Sequence, residues 1–486
     1  MHNKTRGAGV DGSERPRGGL SDARAPGGSE RPRGGLSDAR APGNTDSIPG
    51  PIAAACESVR PAVPADSVAG IQPKIVAEPA GIEEASALLR AASGLGLAVV
   101  PRGTGTRLHW GNPPERCDLV IDMTRMDQVI EHTAGDLVAT VQAGLSLDRL
   151  GEMLGTAGQR LALDPPGRGG ADGPRGTVGG VLATGAAGPL RFRYGTGRDL
   201  LIGITVVRAD GTVARSGGKV VKNVAGYDLG KLFAGSRGTL GLIAQATFRL
   251  HPLPARTAFV SAERMAAADA CGVIEVAMRS TASPVAAEIA WPGANDAACA
   301  CVALEGDPAG VAERAAMLVG LLGKGAAASI HADPPPWWGS GPAAQSDGTV
   351  LQVGFWPGDL GMVLAEIRAA AARAGLDPAV GGSAAAGVLH VAVPAGADAA
   401  AVAEFVTVLR ERLGQNELAR VRTAEASTAD RTPPARGSVV IEHAPAEVAK
   451  LADLFGPVPS LPLMRAVKSQ FDPARSMAPG RFAGGI

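Results

Sequence analysis

The 486-residue sequence predicts an α+β protein, on three observations. Apolar residues at 82, 85, 88, 89 and 92 in IEEASALLRAA follow the 3.6-residue stripe of an amphipathic helix. Short apolar runs, LAVVP at 97–101, DLVID at 118–122 and LVATVQA at 137–143, predict strands that alternate with such helices. LIGITVVRA and TVARSG flank Asp210-Gly211, a hairpin signal because glycine accepts positive φ without steric cost, and a hairpin argues against a purely parallel sheet.

The remaining elements follow in order. LSLDRLGEMLGTAG at 145–158 predicts a second helix, and GTVGGVLATG opens another, whose free N–H groups and dipole would suit an anion. After Leu253-Pro254 the chain becomes alanine-rich. Strand-like AEIAW, VALEG, VLQVGFW, GVLHVAV and SVVIEH are separated by helical runs such as AVAEFVTVLRERL, whose Val402, Phe405, Val406, Leu409 and Leu413 share a face. This predicts a second α+β domain over 255–461 after a first over 66–254, with PPPWWGSGP at 334–342 exposed or at an interface. The end, 462–486, reads as a helix stopping at Asp472-Pro473 and then a Gly/Pro loop. Before these domains, GSERPRGGLSDARAPG at Gly12–Gly27 recurs unchanged at Gly28–Gly43. Such a segment cannot bury enough apolar surface to offset the entropy of ordering, so residues 1–65 are expected to be a disordered tail.

Composition excludes several function classes. With 47 basic and 47 acidic residues the formal net charge is zero, so no overall field draws the chain to nucleic acid or an anionic membrane. The five cysteines, Cys56, Cys117, Cys271, Cys299 and Cys301, lack zinc or iron–sulfur spacing, which predicts no metal site and a reducing cytoplasm. Cys299 and Cys301 could form a metal or redox pair, but NDAACACVAL favours a strand of small residues entering a core. No signal peptide and no run of ~18 apolar residues is present, so direct membrane insertion is not expected, and any membrane contact would be peripheral, through a partner.

Glycine-rich loops carry the chemical signal: PRGTGT at 101–106, PPGRGG at 165–170, GTVGGVLATGAAG at 176–188, RYGTGRD at 193–199 and AGSRGTLG at 234–241. Glycine lets the backbone approach a ligand and aim successive N–H groups at phosphate oxygens. With 67 glycines in the chain, one such loop means little, and the information lies in their order and setting. PRGTGT follows a buried strand, and RYGTGRDL precedes one, adding Arg198 and Asp199 as either ligand contacts or an ion pair within the domain.

The succession PRGTGT, PPGRGG…GTVGG, YGTGRDLLIGITVVRADG, KVVKNVAGYDL, AGSRGTLGLI and FDPARSMAPGRFAGGI resembles flavoproteins with an FAD domain of the vanillyl-alcohol-oxidase or p-cresol-methylhydroxylase (PCMH) type. Within them it is most similar to the smaller of the flavin-binding subunits of bacterial glycolate oxidases, over residues 70–254 and again at 462–486. The resemblance implies a two-lobed PCMH-type FAD-binding domain, an α+β (ferredoxin-like) cap domain, and a C-terminal segment returning to the FAD domain. It implies that Arg102, Gly103, Thr104, Gly105 and Thr106, with Thr177, Val178, Gly179 and Gly180, wrap the FAD pyrophosphate, and that Ile243 lies against the cofactor. Pro166, Thr184, Arg198, Asp199 and Gly238 join this cofactor-binding set. Covalent members carry histidine where Thr106 stands, so the FAD is expected to be non-covalent, with His109 three residues on as a flavin contact or a packing residue. Tyr227, one of only two tyrosines, lies with Asp228 on the connection feeding the last strands of this domain and is expected to fix it through hydroxyl and ring, facing the flavin or packing beneath it.

The function implied is oxidation of glycolate or D-lactate to the 2-oxo acid, with electrons passed to partners: a large flavin-binding catalytic subunit and an iron–sulfur subunit. A 2-hydroxy acid needs a cation for its carboxylate and a base for its hydroxyl. Candidate cations are Arg198, Lys222 and Arg481, and no base stands out. Large-subunit relatives have a histidine-rich segment where this chain reads GGSAAAGVLHVAV, leaving His390, which an apolar alternating strand favours as a core residue. His390 and Arg481 are the candidates for catalysis. The alternatives are a stand-alone FAD-dependent dehydrogenase of another small hydroxylated substrate and a non-catalytic flavin subunit. A nucleotide-binding βαβ unit is disfavoured because no glycine fingerprint is followed by an acidic residue ~20 positions on.

Overall fold

Three sheets, each with helices packed on it, organise the chain. In the computed structural model, residues 48–167, 173–219, 227–293, 297–323, 327–342, 348–415 and 437–486 are described. The tandem repeat at 12–43, and Lys222, lie outside them.

The first sheet contains β1 (Val59–Pro61), β2 (Ile75–Ala77), β3 (Val99–Arg102) and β4 (Leu119–Asp122) in the order β1-β2-β4-β3, with β2, β4 and β3 parallel and β1 antiparallel. Helices α1 (Gly50–Ala55) and α2 (Ile82–Gly94) bury Ile52, Leu88 and Leu89 against Leu119 and Ile121. The expectation of a disordered tail to residue 65 is therefore wrong from residue 48 onward. Ile52 is 0% exposed, Pro51 preorganises the first turn of α1, and Asp66 is ion-paired to Arg60 and Arg102. Ile52 and Cys56 in the core, with Ile48, Ala55 and Val59 packed beside them, and one salt-bridged aspartate order a stretch whose composition reads as tail.

Beyond it come β5 (Val129–Thr133), β6 (Val138–Gln142), β7 (Gln159–Arg160), β8 (Leu201–Val207), β9 (Val213–Gly217) and β10 (Leu242–Arg249). All but β7 form an antiparallel sheet ordered β5-β6-β10-β8-β9. The hairpin at Asp210-Gly211 is present: Gly211 has φ +81°, and a Cβ there would lie 2.6 Å from the carbonyl oxygen of Ser86 on α2. The second sheet carries α3 (Leu147–Gly155), α4 (Val178–Thr184), α5 (Arg191–Tyr194), α6 (Gly197–Leu200) and α7 (Gly230–Phe233) on its connections, while β11 (His251–Pro252) pairs with β7.

The third sheet joins β12 (Arg256–Met265), β13 (Ala286–Trp291), β14 (Ala298–Gly306), β15 (Ser329–His331), β16 (Thr349–Phe355), β17 (Ala379–Gly382), β18 (Val388–Val393) and β19 (Gly437–His443), with α8 (Ala267–Arg279), α9 (Pro308–Leu322), α10 (Leu360–Ala374) and α11 (Ala399–Arg412). Its order, β15-β12-β14-β13-β17-β18-β16-β19, resolves into two β-α-β-β-α-β units, β12 to β15 and β16 to β19, joined edge to edge by β13 and β17. This is the ferredoxin-like pattern, occurring twice. All four helices share one core with the sheet, so one face is apolar: Ala287, Ile289, Leu351, Val353, Leu389, Val391, Val439 and Ile441. Strand alternation then sends Glu288, Gln352, His390 and Glu442 to the opposite face. Cys301 is buried on β14, beside the Ser261 hydroxyl, as expected of a small-residue strand.

After α12 (Ala446–Leu451) and α13 (Leu461–Phe471), the chain returns to the first sheet: Val99 N donates to Ser476 O at 2.8 Å and Ala478 N to Val99 O at 2.8 Å. No helix among the described residues is long and apolar enough to cross a membrane.

Candidate functional site

Two adjoining cavities occupy the space between the loops of the first two sheets and the face of the third that α8–α11 leave uncovered. A narrow cleft of about 100 Å³ is lined by Arg102, Gly103, Thr104, Gly105, Thr106, Thr177, Gly179, Gly180, Thr184, Gly238, Ile243 and Arg481, all singled out from sequence. A wider cavity of about 520 Å³, within the usual range for ligand pockets, shares Thr106, Arg107 and Trp110 with it.

The cleft is built so that backbone can reach a ligand. The loop after β3 is anchored by Arg102, whose guanidinium bonds Asp122 at 2.8 and 3.0 Å and Asp66 at 2.9 Å. Hydrogen bonds from Arg60 first, and from Val63 N and Arg102, hold the Asp66 carboxyl well below the usual carboxylate range against the opposing effect of burial. Arg102 thus serves the scaffold. Beyond it, the backbone N–H groups of Gly103, Thr104, Gly105 and Thr106 donate to no other group among the described residues, and Gly105 has φ +74°. A Cβ at Gly103 would lie 2.1 Å from the Thr177 hydroxyl, so only glycine lets this loop lie against α4.

Helix α4 corrects one expectation. Its first amides are not free: Val178 N donates to Leu145 O at 2.9 Å, Gly179 N to Ala143 O at 2.7 Å, and Gly180 N to the Thr177 N-cap hydroxyl at 3.2 Å. Val178 itself is a core residue, 1% exposed, and does not line the cleft. The groups left for an anion are the loop amides and two buried arginines that sequence reasoning treated lightly or missed. Arg237 and Arg481 each keep one guanidinium nitrogen, Nη1, buried without a partner among the described residues while lining the cleft. Arg481 donates from Nη2 to Leu108 O and Trp110 O, and burial, reinforced by the charge of Arg237, pushes its pKa down to about 10. Two uncompensated guanidinium edges beside four free amides fit a diphosphate, so the residues present suit the pyrophosphate of FAD.

Other expectations fail by position. Arg198 and Asp199 are exposed and line neither cavity; the Asp199 carboxylate instead accepts from Thr196 N at 2.7 Å and the Thr196 hydroxyl at 2.8 Å, capping its own helical turn. Tyr227 is 89% exposed, and it is its carbonyl that ties the segment, accepting from Ser216 Oγ and Leu229 N. Asp228 lies 3.6 Å from Lys231. Pro166 borders the wide cavity, where its carbonyl accepts from Arg107 Nη2 at 2.5 Å. Burial pushes the Arg107 pKa down to about 10.

The wide cavity places polar side chains of the third sheet opposite these loops. His390 is not a core residue: it lines the cavity, and its Nδ1 lies 3.1 Å from the Glu442 carboxylate. Burial opposes ionisation of Glu442, but its contact with His390, with the charges of Arg237 and Arg191, outweighs it and lowers its pKa. A β-bulge in β19, where Val350 pairs with His443 and Leu351 with Ile441, lets consecutive Glu442 and His443 both border the cavity. The rings of His443 and His109 meet edge to face at 4.8 Å. Glu288, held by Gly339 N at 2.7 Å, is lifted by burial to about 8. The loop at 334–342, expected to be exposed or at an interface, supplies Gly339 to Pro342 as a wall. Ser383 Oγ is buried there without a partner among the described residues. Among the described residues no group of three His, Cys, Asp or Glu could hold a metal ion.

Sequence reasoning missed Arg107, Trp110, Arg191, Arg237, Glu288, Glu442 and His443. The only available signal was charge interrupting apolar alternation, as in AEIAW and SVVIEH.

Comparisons with known proteins agree with this geometry. Residues 73–217 match an FAD binding domain and residues 353–482 the C-terminal domain of FAD linked oxidases. Glycolate oxidase subunit GlcD of Bacillus subtilis is 38% identical over 183 residues, 37% of this chain and 38% of that protein. A probable mitochondrial D-lactate dehydrogenase of Danio rerio is 37% identical over 185 residues, 37% of this chain and 36% of that one. The chain thus spans well under half the length of these relatives. The structure of p-cresol methylhydroxylase with substrate bound superposes with a TM-score of 0.66 over 89% of this chain and 95% of that one, at 15% identity, which shows the fold.

Proposed function

Because the chain belongs to the FAD-linked oxidases with a PCMH-type fold and FAD as its cofactor, we propose that it oxidises a small 2-hydroxy acid, glycolate or D-lactate, to the 2-oxo acid. The observation that carries this reading is the His390–Glu442 pair on the wall of the wide cavity, next to the cleft suited to a diphosphate. When bound, FAD supplies the acceptor for the two electrons and hydrogen leaving the α-carbon. The chain's own part begins with Glu442, ionised and buried, which favours the proton on Nδ1 of His390 and leaves Nε2 as the acceptor for the substrate hydroxyl proton. Loop amides 103–106 with Arg237 and Arg481 hold the cofactor's diphosphate, and Thr106 in place of a histidine leaves the flavin without a covalent link to this loop. In the same proposal the chain is one component of a glycolate-oxidase-type complex, with a larger flavin-binding subunit and an iron–sulfur subunit taking its electrons; the likeness to a glycolate oxidase subunit supports this.

The test is an anaerobic visible spectrum of the purified chain before and after glycolate and D-lactate. Bleaching by either acid, lost in His390→Gln, is the expected result. A yellow protein that neither acid bleaches would remove the catalytic reading.

A further inference from the structure

The arginines around the two cavities differ in what occupies them. Arg102 is saturated by Asp66 and Asp122, Arg237 and Arg481 line the narrow cleft, and Arg107 is spent on the carbonyls of Arg175 and Pro166. Arg191 alone of these lines the wide cavity and not the cleft. Its Nε donates to Gly188 O at 3.2 Å and its Nη2 to Ala187 O, so backbone carbonyls fix one edge of the guanidinium. Among the described residues no carboxylate lies within salt-bridge distance of it. Asp164, Glu288 and Glu442 act on it only at longer range, and burial raises the first two to about 7 and about 8, which weakens their competition for its charge. A half-buried guanidinium with one edge fixed and no counter-ion is suited to a carboxylate from outside the protein.

Arg191 sits on α5, a single turn, which could not hold a side chain in place by itself. Its other end is pinned. Tyr194 OH donates to Glu305 Oε2 on β14 at 2.8 Å and accepts from Arg160 Nη2 on β7 at 3.0 Å, while Arg160 and Glu305 form a bidentate pair at 2.5 and 2.8 Å. The His251 ring meets the Tyr194 ring edge-on at 4.7 Å, and Leu190 and Tyr194 pack against the cluster of Phe259, Val285 and Ala303. The turn is thus fastened to the third sheet on one side and presents Arg191 to the cavity on the other.

We propose that Arg191 binds the carboxylate of the 2-hydroxy acid and determines specificity for acids over neutral alcohols, and that Tyr194, through Glu305 and Arg160, is the residue that positions it. This rests on the 2-hydroxy acid reading of the same cavity. The test measures oxalate binding to the full chain loaded with FAD, by the flavin difference spectrum and by tryptophan fluorescence, alongside FAD affinity. Arg191→Gln is expected to weaken oxalate roughly tenfold or more, the loss of a charged hydrogen-bond pair, with Arg191→Lys recovering part of it. Tyr194→Phe keeps the ring and the Arg160–Glu305 pair, and is expected to weaken oxalate about threefold while FAD affinity stays unchanged, a split between the two ligands that a purely structural role would not give. If wild type binds oxalate and Arg191→Gln binds it equally well, this inference is overturned and the reading of the cavity stands. If wild type binds no oxalate and no 2-hydroxy acid reduces its flavin, both fall together.

Discussion

Replacing Asp472 with alanine tests how the C-terminal segment is held against the cofactor cleft. Asp472 is 0% exposed and accepts from Lys468 Nζ at 2.7 Å, Ser476 N at 3.0 Å, Ser476 Oγ at 3.1 Å and Met477 N at 2.7 Å. Lys468, equally buried, also donates to Thr239 O at 2.6 Å in the Gly-Ser-Arg-Gly-Thr turn and to Met477 O at 2.9 Å. Removing the carboxylate strands a buried ammonium, which costs about 3–5 kcal/mol for such a pair. The two orphaned backbone donors raise the figure within that range more than beyond it, because the segment relaxes toward water once freed. The double variant with Lys468→Met should cost about 2 kcal/mol less than the sum of the two singles, since neither charge is then left alone. The same change should weaken FAD, because Ser476 and Ala478 bracket Val99 and Arg481 follows directly. Urea unfolding and flavin-fluorescence titration read the two effects. A loss below ~1 kcal/mol with unchanged FAD affinity would show that the latch neither stabilises the fold nor positions Arg481.

Three further outcomes follow from individual contacts. Gly103→Ala places a Cβ 2.1 Å from the Thr177 hydroxyl, so it should dislodge the α4 N-cap and strip FAD on gel filtration, whereas Thr177→Ala alone should cost about 1 kcal/mol in thermal unfolding. Glu288 has its carboxyl raised from 4.5 to about 8 by burial. Between those values the unfolded chain has released a proton that the folded chain retains, so stability falls as pH rises from about 4.5 to about 8 and levels above. Glu288→Gln should flatten melting curves taken from pH ~5 to ~9 and be the more stable form near pH ~8, with a slope change of up to about 1.4 kcal/mol per pH unit. Tyr227→Phe should alter neither melting temperature nor FAD retention, because the ring is 89% exposed; a fall in either would mean the hydroxyl has a role that its position does not suggest.

What the sequence determined by itself was local. Hydrophobic period identified α2, the strands at 99–102, 119–122 and 138–142, and the Asp210-Gly211 hairpin, because these depend on neighbours within a few residues. The glycine loops that border the cleft were readable for the same reason: a backbone that must approach a ligand or another backbone admits no side chain, as at Gly103. Tertiary structure alone decided which charges matter. Arg198 and Arg191 lie seven positions apart in one arginine-rich stretch, yet one is exposed and the other faces the cavity, because Tyr194 is fastened to Glu305 more than a hundred residues away. His390 reads as a core histidine until two β-α-β-β-α-β units join through β13 and β17, leaving the sheet one face that α8–α11 do not cover, where Glu442 lies beside it. Even the anion site moved: the N-terminal amides of α4 are consumed by Ala143 and Leu145, and the cations that line the cleft with a guanidinium nitrogen unpaired among the described residues are Arg237 and Arg481, set 244 residues apart in the chain. Pairings between distant residues leave no periodic trace in a single sequence, so burial and partner choice appear only once the chain has folded.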